Sequence, residues 1–145
     1  RELWISDGTA AGTTMVKDIN PGVGSGNPKD FTVFNNKVLF TRSNSELWQT
    51  AGTEDGTTKI AGGSYVSISD QAIVGNMMSF SMNDGTHGSE LWKTDGTQEG
   101  TVMVKDINPS GNALPSSFIE FNGMVYFAAN DGVNSKELWR TDGTA

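Results

Sequence analysis

The sequence has no cysteine among its 145 residues. That excludes disulfide staples, thiolate nucleophiles and cysteine-ligated zinc, and it leaves the redox compartment open. Positive charge is scarce: 10 Lys and Arg stand against 17 Asp and Glu, for a formal net charge of −7. Phosphate backbones and anionic headgroups need a basic surface, so neither nucleic acid nor anionic lipid is expected as a partner. No stretch approaches the roughly 20 apolar residues of a membrane span, so no membrane insertion is expected. Histidine occurs once, at His87, so no histidine cluster can form. Despite the many asparagines, there is no Asn-x-Ser/Thr acceptor. Apolar residues, at 35%, are few for a globular chain, whereas glycine, with 18 residues, is abundant. This balance suits short strands and tight turns better than a helical bundle. No leader is visible, and residue 1 falls inside a repeat, so the true amino terminus is expected upstream.

What is present is a repeat. Glu-Leu-Trp occurs at Glu2, Glu46, Glu90 and Glu137, at spacings of 44, 44 and 47 residues. The units are residues 2–45, 46–89 and 90–136, with a partial fourth at 137–145. Each reads as four short strands. The first two are "FTVF-NN-KVLF" (31–40), "QAIV-GN-MMSF" (71–80) and "FIEF-NG-MVYF" (118–127). Two apolar runs of four flank a two-residue turn whose Asn and Gly residues tolerate the positive φ of a type I′ hairpin. The runs are too short, and too rich in β-branched and aromatic residues, for helices. The third strand carries Glu-Leu-Trp, and the fourth is "TTMVKDI" (13–19), "TTKIAGG" (57–63) or "TVMVKDI" (101–107). Between them, "DGTAAG", "AGTEDG" and "DGTQEG" supply an Asp-Gly type turn. A small antiparallel meander cannot bury both its faces, but stacked copies can. The expected fold is therefore all-β, with β-propeller-type four-stranded antiparallel blades.

The carriers Glu90-Leu91-Trp92, Asp95-Gly96-Thr97 and Gly100-Thr101, with the same types at Glu2-Leu3-Trp4, Asp7-Gly8-Thr9 and Gly12-Thr13, resemble the bacterial ELWxxDGT repeat family. The likeness runs along essentially the whole chain. The second unit departs from it, with Ala51 in the Asp position and "KIAGG" for "VKDIN". That family occurs as tandem arrays in large secreted or surface proteins, so the resemblance implies an extracellular or cell-surface location. The strand order is also similar to kelch-type propeller blades.

The two tight turns keep their lengths between units, whereas the second-to-third-strand connection does not. It is "TRSNS" (41–45), "SMNDGTHGS" (81–89) or "AANDGVNSK" (128–136). The linkers to the next unit vary too: 20–30, 64–70 and 108–117. In an up-down meander both emerge at one end, which makes that end the expected ligand face. Asp84, His87, Asp131 and Asn134 in its "NDG" loops are the candidate ligand-binding residues. No cofactor is expected, calcium being the one alternative the acidic turns leave open. Asp7, Asp95 and Asp142 read first as turn formers, because neither an EF-hand loop nor a glycine-aspartate nonapeptide is present. Trp4, Trp48, Trp92 and Trp139 are expected between blades rather than as sugar-stacking platforms. Phe31, Phe34, Phe40, Phe80, Phe118, Phe121, Tyr126 and Phe127 are expected in the core. The Glu-Leu-Trp glutamates read as solvated edge charges that discourage sheet pairing.

No nucleophile, base and acid set is singled out, and no enzyme activity is expected. The expected role is a structural or adhesive scaffold, with a glycan-binding, lectin-like propeller as the alternative. Three units are too few for a ring of four to eight blades. Adjacent repeats or other copies of the chain are therefore the expected partners, with Thr13–Ile19 of one copy adding to residues 118–142 of another.

Overall fold

A computed structural model describes residues 1–144, and they form thirteen β-strands and no helix. The strands are β1 (Leu3–Ile5), β2 (Thr14–Lys17), β3 (Pro28–Phe34), β4 (Lys37–Arg42), β5 (Glu46–Thr50), β6 (Thr58–Gly62) and β7 (Tyr65–Val74). They continue with β8 (Met77–Asn83), β9 (Ser89–Thr94), β10 (Val102–Lys105), β11 (Ser116–Phe121), β12 (Met124–Asn130) and β13 (Lys136–Thr141). Four antiparallel sheets result, each pairing strands in chain order: β1-β2, β3-β4-β5-β6, β7-β8-β9-β10 and β11-β12-β13. Only the two middle sheets have four strands, and the four sheets do not close into a ring. The repeats beginning at Glu46, Glu90 and Glu137 start on the third strand of a sheet, and the first starts on the two-stranded sheet. One repeat is therefore the last two strands of one sheet and the first two of the next. Residue 145, the end of the partial unit, lies outside the described residues.

Local sequence explains the hairpins. Asn35 and Asn36 take φ of 48° and 59°, and Asn122 and Gly123 take 52° and 76°, as a type I′ turn requires. Gly75 has φ 55°, but Asn76 is outside that region, so the middle hairpin turns differently. A register shift interrupts the first strand of every larger sheet: between Lys29 and Thr32, Ser67 and Ala72, and Ser116 and Ile119. Asp30 and Ser117 sit at two of these bulges with positive φ.

The sheets pack face on face, and the alternation of side chains along each strand supplies both faces. Phe34, Leu39, Leu47 and Ile60 of the second sheet pack with Met78, Phe80 and Met82 of the third. Ala72, Leu91 and Val104 of the third pack with Val125, Phe127 and Ala129 of the fourth. Leu3 and Val16 of the first, with Ile19 just beyond it, meet Phe40 of the second. Every larger sheet thus presents a phenylalanine to the sheet before it, directly across from its tryptophan: Phe40 and Trp48, Phe80 and Trp92, Phe127 and Trp139. The leucine of Glu-Leu-Trp presents to the sheet after it. Burying one such Phe or Leu is worth about 1.5–3 kcal/mol, so the sheets hold each other rather than themselves.

This rule corrects two expectations. Phe31 and Phe121 are exposed, because each lies where no neighbouring strand covers it, and Phe118 is only partly buried. Trp48, Trp92 and Trp139 are partly buried against the intersheet clusters, but Trp4, with no sheet before it, is 59% exposed.

Candidate functional site

The Asp-Gly-Thr segments are closed hydrogen-bond units. Asp95 Oδ1 accepts from Thr97 N (2.8 Å) and Thr97 Oγ1 (2.7 Å), and Thr97 Oγ1 in turn accepts from Gly100 N (2.9 Å). Asp7 makes the same three-step chain through Thr9 to Gly12. These bonds to Thr97 hold the Asp95 carboxyl below the usual carboxylate range, and those from Thr9 do the same for Asp7. A β-carbon on Gly12 or Gly100 would collide with the Asp7 or Asp95 carboxylate, which is why glycine closes the turn. Where Ala51 replaces the aspartate, Thr53 Oγ1 still accepts from Gly56 N. The turn survives without its carboxylate, as a turn former does and an obligatory ligand does not.

The Glu-Leu-Trp glutamates are not solvated edge charges, with Glu137 alone exposed and unpartnered among the described residues. Glu90 is wholly buried, and its carboxylate accepts from three linker N–H groups: Ile107 (2.7 Å), Asn108 (3.3 Å) and Ala113 (3.0 Å). Glu2 accepts from Ile19 (2.8 Å), Asn20 (3.4 Å) and Gly26 (2.7 Å) in the same way. Each clamps the linker that leads into the next sheet. Burial pushes the Glu90 carboxyl up despite these bonds. At Glu2 burial pulls the same way, but the Gly26, Ile19 and Asn20 N–H groups outweigh it and leave the carboxyl low. Glu46, whose unit lacks the Ile-Asn-Pro linker, instead pairs with Arg42 (2.9 Å), Lys59 (3.5 Å) and Trp48 Nε1 (3.0 Å). The signal was legible: Ile-Asn-Pro follows 17 residues after the glutamate in the two units with a clamp, and is missing from the unit without one.

The four candidate ligand residues fall into two matching turns. Asp84 Oδ1 accepts from Thr86 N (2.8 Å) and His87 N (2.9 Å), and Oδ2 meets His87 Nδ1 at 2.7 Å. Asp131 Oδ1 accepts from Val133 N (2.9 Å) and Asn134 N (2.7 Å), while Asn134 Nδ2 donates to Oδ2 at 3.0 Å. Asn134 thus does for one loop what His87 does for the other. The Asp84 carboxylate raises the His87 imidazole above its ordinary value. Partial burial works against the charge on Asp84, but the His87 and Thr86 bonds outweigh it and the carboxyl stays low. His87 alone of the four lines a polar groove of ≈ 360 Å³, between its own loop and linker residues Pro109, Ser110, Gly111 and Asn112. Among the described residues, no three His, Asp or Glu side chains gather as a metal-binding group.

The variable loops do share one edge of the stacked sheets, bonded from one sheet to the next. Gly63 N donates to Ser45 O (2.8 Å), Ser64 N to Asn83 O (2.8 Å), and Ala113 N to Ser89 O (3.0 Å). A second feature lies at the two ends of the stack. The leucine of Glu-Leu-Trp is buried at Leu3, Leu47 and Leu91, but Leu138 is 77% exposed, alongside exposed Ile119 and Phe121. At the opposite end, Leu3, Trp4 and Val16 of the short sheet and Phe31, Val33 and Val38 of the next line an apolar groove of ≈ 390 Å³. No family model, curated protein or solved structure matches the chain. Any functional reading therefore stands on this geometry and on the repeat.

Proposed function

We propose that this chain is a non-enzymatic structural repeat module of propeller type, a scaffold or adhesive segment of a secreted or surface protein that stacks end to end with further sheets of its own kind. One observation carries the reading. Equivalent residues are buried wherever a neighbouring sheet is present and exposed wherever it is not: Leu47 is 0% exposed and Leu138 77%. Large contiguous apolar faces on a soluble surface mark interaction sites. The resemblance to secreted tandem repeats points the same way, and so does the use of the turn carboxylates in bracing their own loops.

The test is capture. Immobilised chain should bind soluble chain or longer arrays of the same repeat, and Leu138→Asp should abolish binding while His87→Ala leaves it intact. No capture by either end would overturn the reading. The polar groove beside His87 favours a second reading, carbohydrate binding on the loop face. There a glycan array would give hits that His87→Ala removes and Leu138→Asp spares.

A further inference from the structure

Asparagine and aspartate are chemically fragile before glycine. The glycine nitrogen attacks the side-chain Cγ, and the five-membered imide that forms reopens to a normal or an isoaspartyl peptide. This chain has one Asn-Gly, at 122–123, and Asp-Gly beginning at Asp7, Asp55, Asp84, Asp95, Asp131 and Asp142. We infer that the fold concentrates this self-modification at Asn122, where Glu120 takes the proton from Gly123 N, and that the residue before the aspartate shields every Asp-Gly pair except Asp55-Gly56.

In the shielded turns the attacking group and its target are held apart. Gly96 N donates to Thr94 Oγ1 (2.9 Å), Gly132 N to Asn130 Oδ1 (2.7 Å) and Gly85 N to Asn83 Oδ1 (2.8 Å). Ser6 and Thr141 hold Gly8 N and Gly143 N in the same way. A hydroxyl or amide oxygen accepts such a bond but is too weak a base to remove the proton. The carboxylate turns to N–H groups further on: Asp95 Oδ1 to Thr97 N (2.8 Å) and Asp131 Oδ1 to Val133 N (2.9 Å). Bonds from the Thr97 hydroxyl and N–H hold the Asp95 carboxyl low, and those from Val133 and Asn134 do so for Asp131. Each therefore stays ionised, and an ionised carboxylate resists a nucleophile. Asp55 is half protected: Gly56 N reaches Thr53 Oγ1 (3.1 Å), but the carboxylate has no partner among the described residues.

The β11–β12 turn has neither shield. The Asn122 side chain is exposed and makes no hydrogen bond among the described residues, so nothing holds it away from Gly123. A β-carbon on Gly123 would meet nothing within 4 Å, so the turn is open around the attacking nitrogen. Gly123 N donates to Glu120 Oε1 at 2.9 Å, and a carboxylate, unlike a hydroxyl, is a base that can accept the proton. As Gly123 N bonds to Asn122 Cγ, its proton passes to Glu120, the Cγ–Nδ2 bond breaks, and Nδ2 leaves as ammonia with that proton. Water then opens the imide, at Cγ to an aspartyl residue or at the main-chain carbon to an isoaspartyl one. The second product adds a methylene to the main chain of the turn that sets the Phe121–Met124 register. The other hairpin turns escape, because Asn36 and Met77 follow Asn35 and Asn76 and a side chain crowds the nitrogen.

The test holds the full chain at mildly alkaline pH and maps it by peptide mass spectrometry, with enzymatic methylation to count isoaspartate. Asn122 should lose ammonia and carry most of the isoaspartate, Asp55 should rank second, and the shielded aspartates should carry little. Glu120→Gln, at an exposed position, keeps an acceptor oxygen but not its basicity. It should slow conversion several-fold with an unchanged circular dichroism spectrum. Asn130→Ala should raise isoaspartate at Asp131 several-fold, and Asn83→Ala should do the same at Asp84. In urea both variants should match the wild type, because the shield belongs to the fold. An intact Asn122 in a chain that converts at Asp95 or Asp131 overturns the site. Glu120→Gln converting as fast as wild type, or faster, overturns the proton transfer. Folded Asn130→Ala and Asn83→Ala chains with wild-type isoaspartate overturn the shield.

Discussion

Replacing Glu90 with alanine removes one acceptor from three backbone N–H groups at once. Ile107, Asn108 and Ala113 are all buried, so water does not reach those donors without opening the linker. An orphaned buried donor costs about 1–3 kcal/mol. Ala113 N keeps Ser89 O at 3.0 Å, so the orphaned donors are Ile107 N and, through a weaker 3.3 Å bond, Asn108 N, which gives a gross loss of about 1–4 kcal/mol. Against it stands the relief of removing a carboxylate that burial disfavours, which the raised pKa reports. A net loss of about 2 kcal/mol is expected. With a urea slope of about 2 kcal/mol/M for a domain of this size, the midpoint should fall by about 1 M. The control is Glu54→Ala, an exposed turn residue whose side chain makes no hydrogen bond or ion pair among the described residues, and it should move stability by no more than about 0.5 kcal/mol. Hydrogen exchange supplies the local readout, since the Ile107 amide should lose protection before the strand amides do, while Ala113, still bonded to Ser89 O, should keep more of its own. If Glu90→Ala shifts the midpoint no more than Glu54→Ala, the linker is not held by this carboxylate and the clamp is wrong.

Three further outcomes are expected. Gly100→Ala should cost about 1–3 kcal/mol by driving a methyl into the Asp95 carboxylate, and Asp95→Ala should recover only part of it, because in the second unit, with Ala51 in that place, a β-carbon on Gly56 would still crowd Thr53 Oγ1; purely additive losses in thermal unfolding would refute the contact. Leu91→Ala, between two sheets, should cost about 2–5 kcal/mol by chemical denaturation. Leu138→Ala, measured where the chain is single-copy, should stay within about 0.5 kcal/mol, and equal losses would contradict the open end. The His87 imidazole should titrate above its ordinary value by NMR and shift downward in Asp84→Asn. Its stabilising share is complete below the unfolded value and fades as pH rises through the raised one. The Asp84 share is present above the carboxylate range and fades as pH falls, so an Asp84→Asn profile parallel to wild type would rule the pair out.

The strands, the hairpins and the repeat were legible in the chain because each is written over a few consecutive residues. Asn35-Asn36 and Asn122-Gly123 prescribe their turns by backbone preference alone, and the alternation of Leu39 with Phe40 prescribes two buried faces. The closed Asp-Gly-Thr turn is equally local, and Asp95, Thr97 and Gly100 complete it within six residues. What the chain could not declare is which of its identical faces has a neighbour. Leu47 and Leu138 occupy the same repeat position in strings that read alike, yet one is sealed and the other open, because burial depends on the sheet stacked opposite. Glu90 and Glu137 divide in the same way. A carboxylate buried as a clamp and one left in water carry the same letter; the Ile-Asn-Pro 17 residues on marks a clamped one in the sequence, but that its N–H groups reach the carboxylate is shown only in three dimensions.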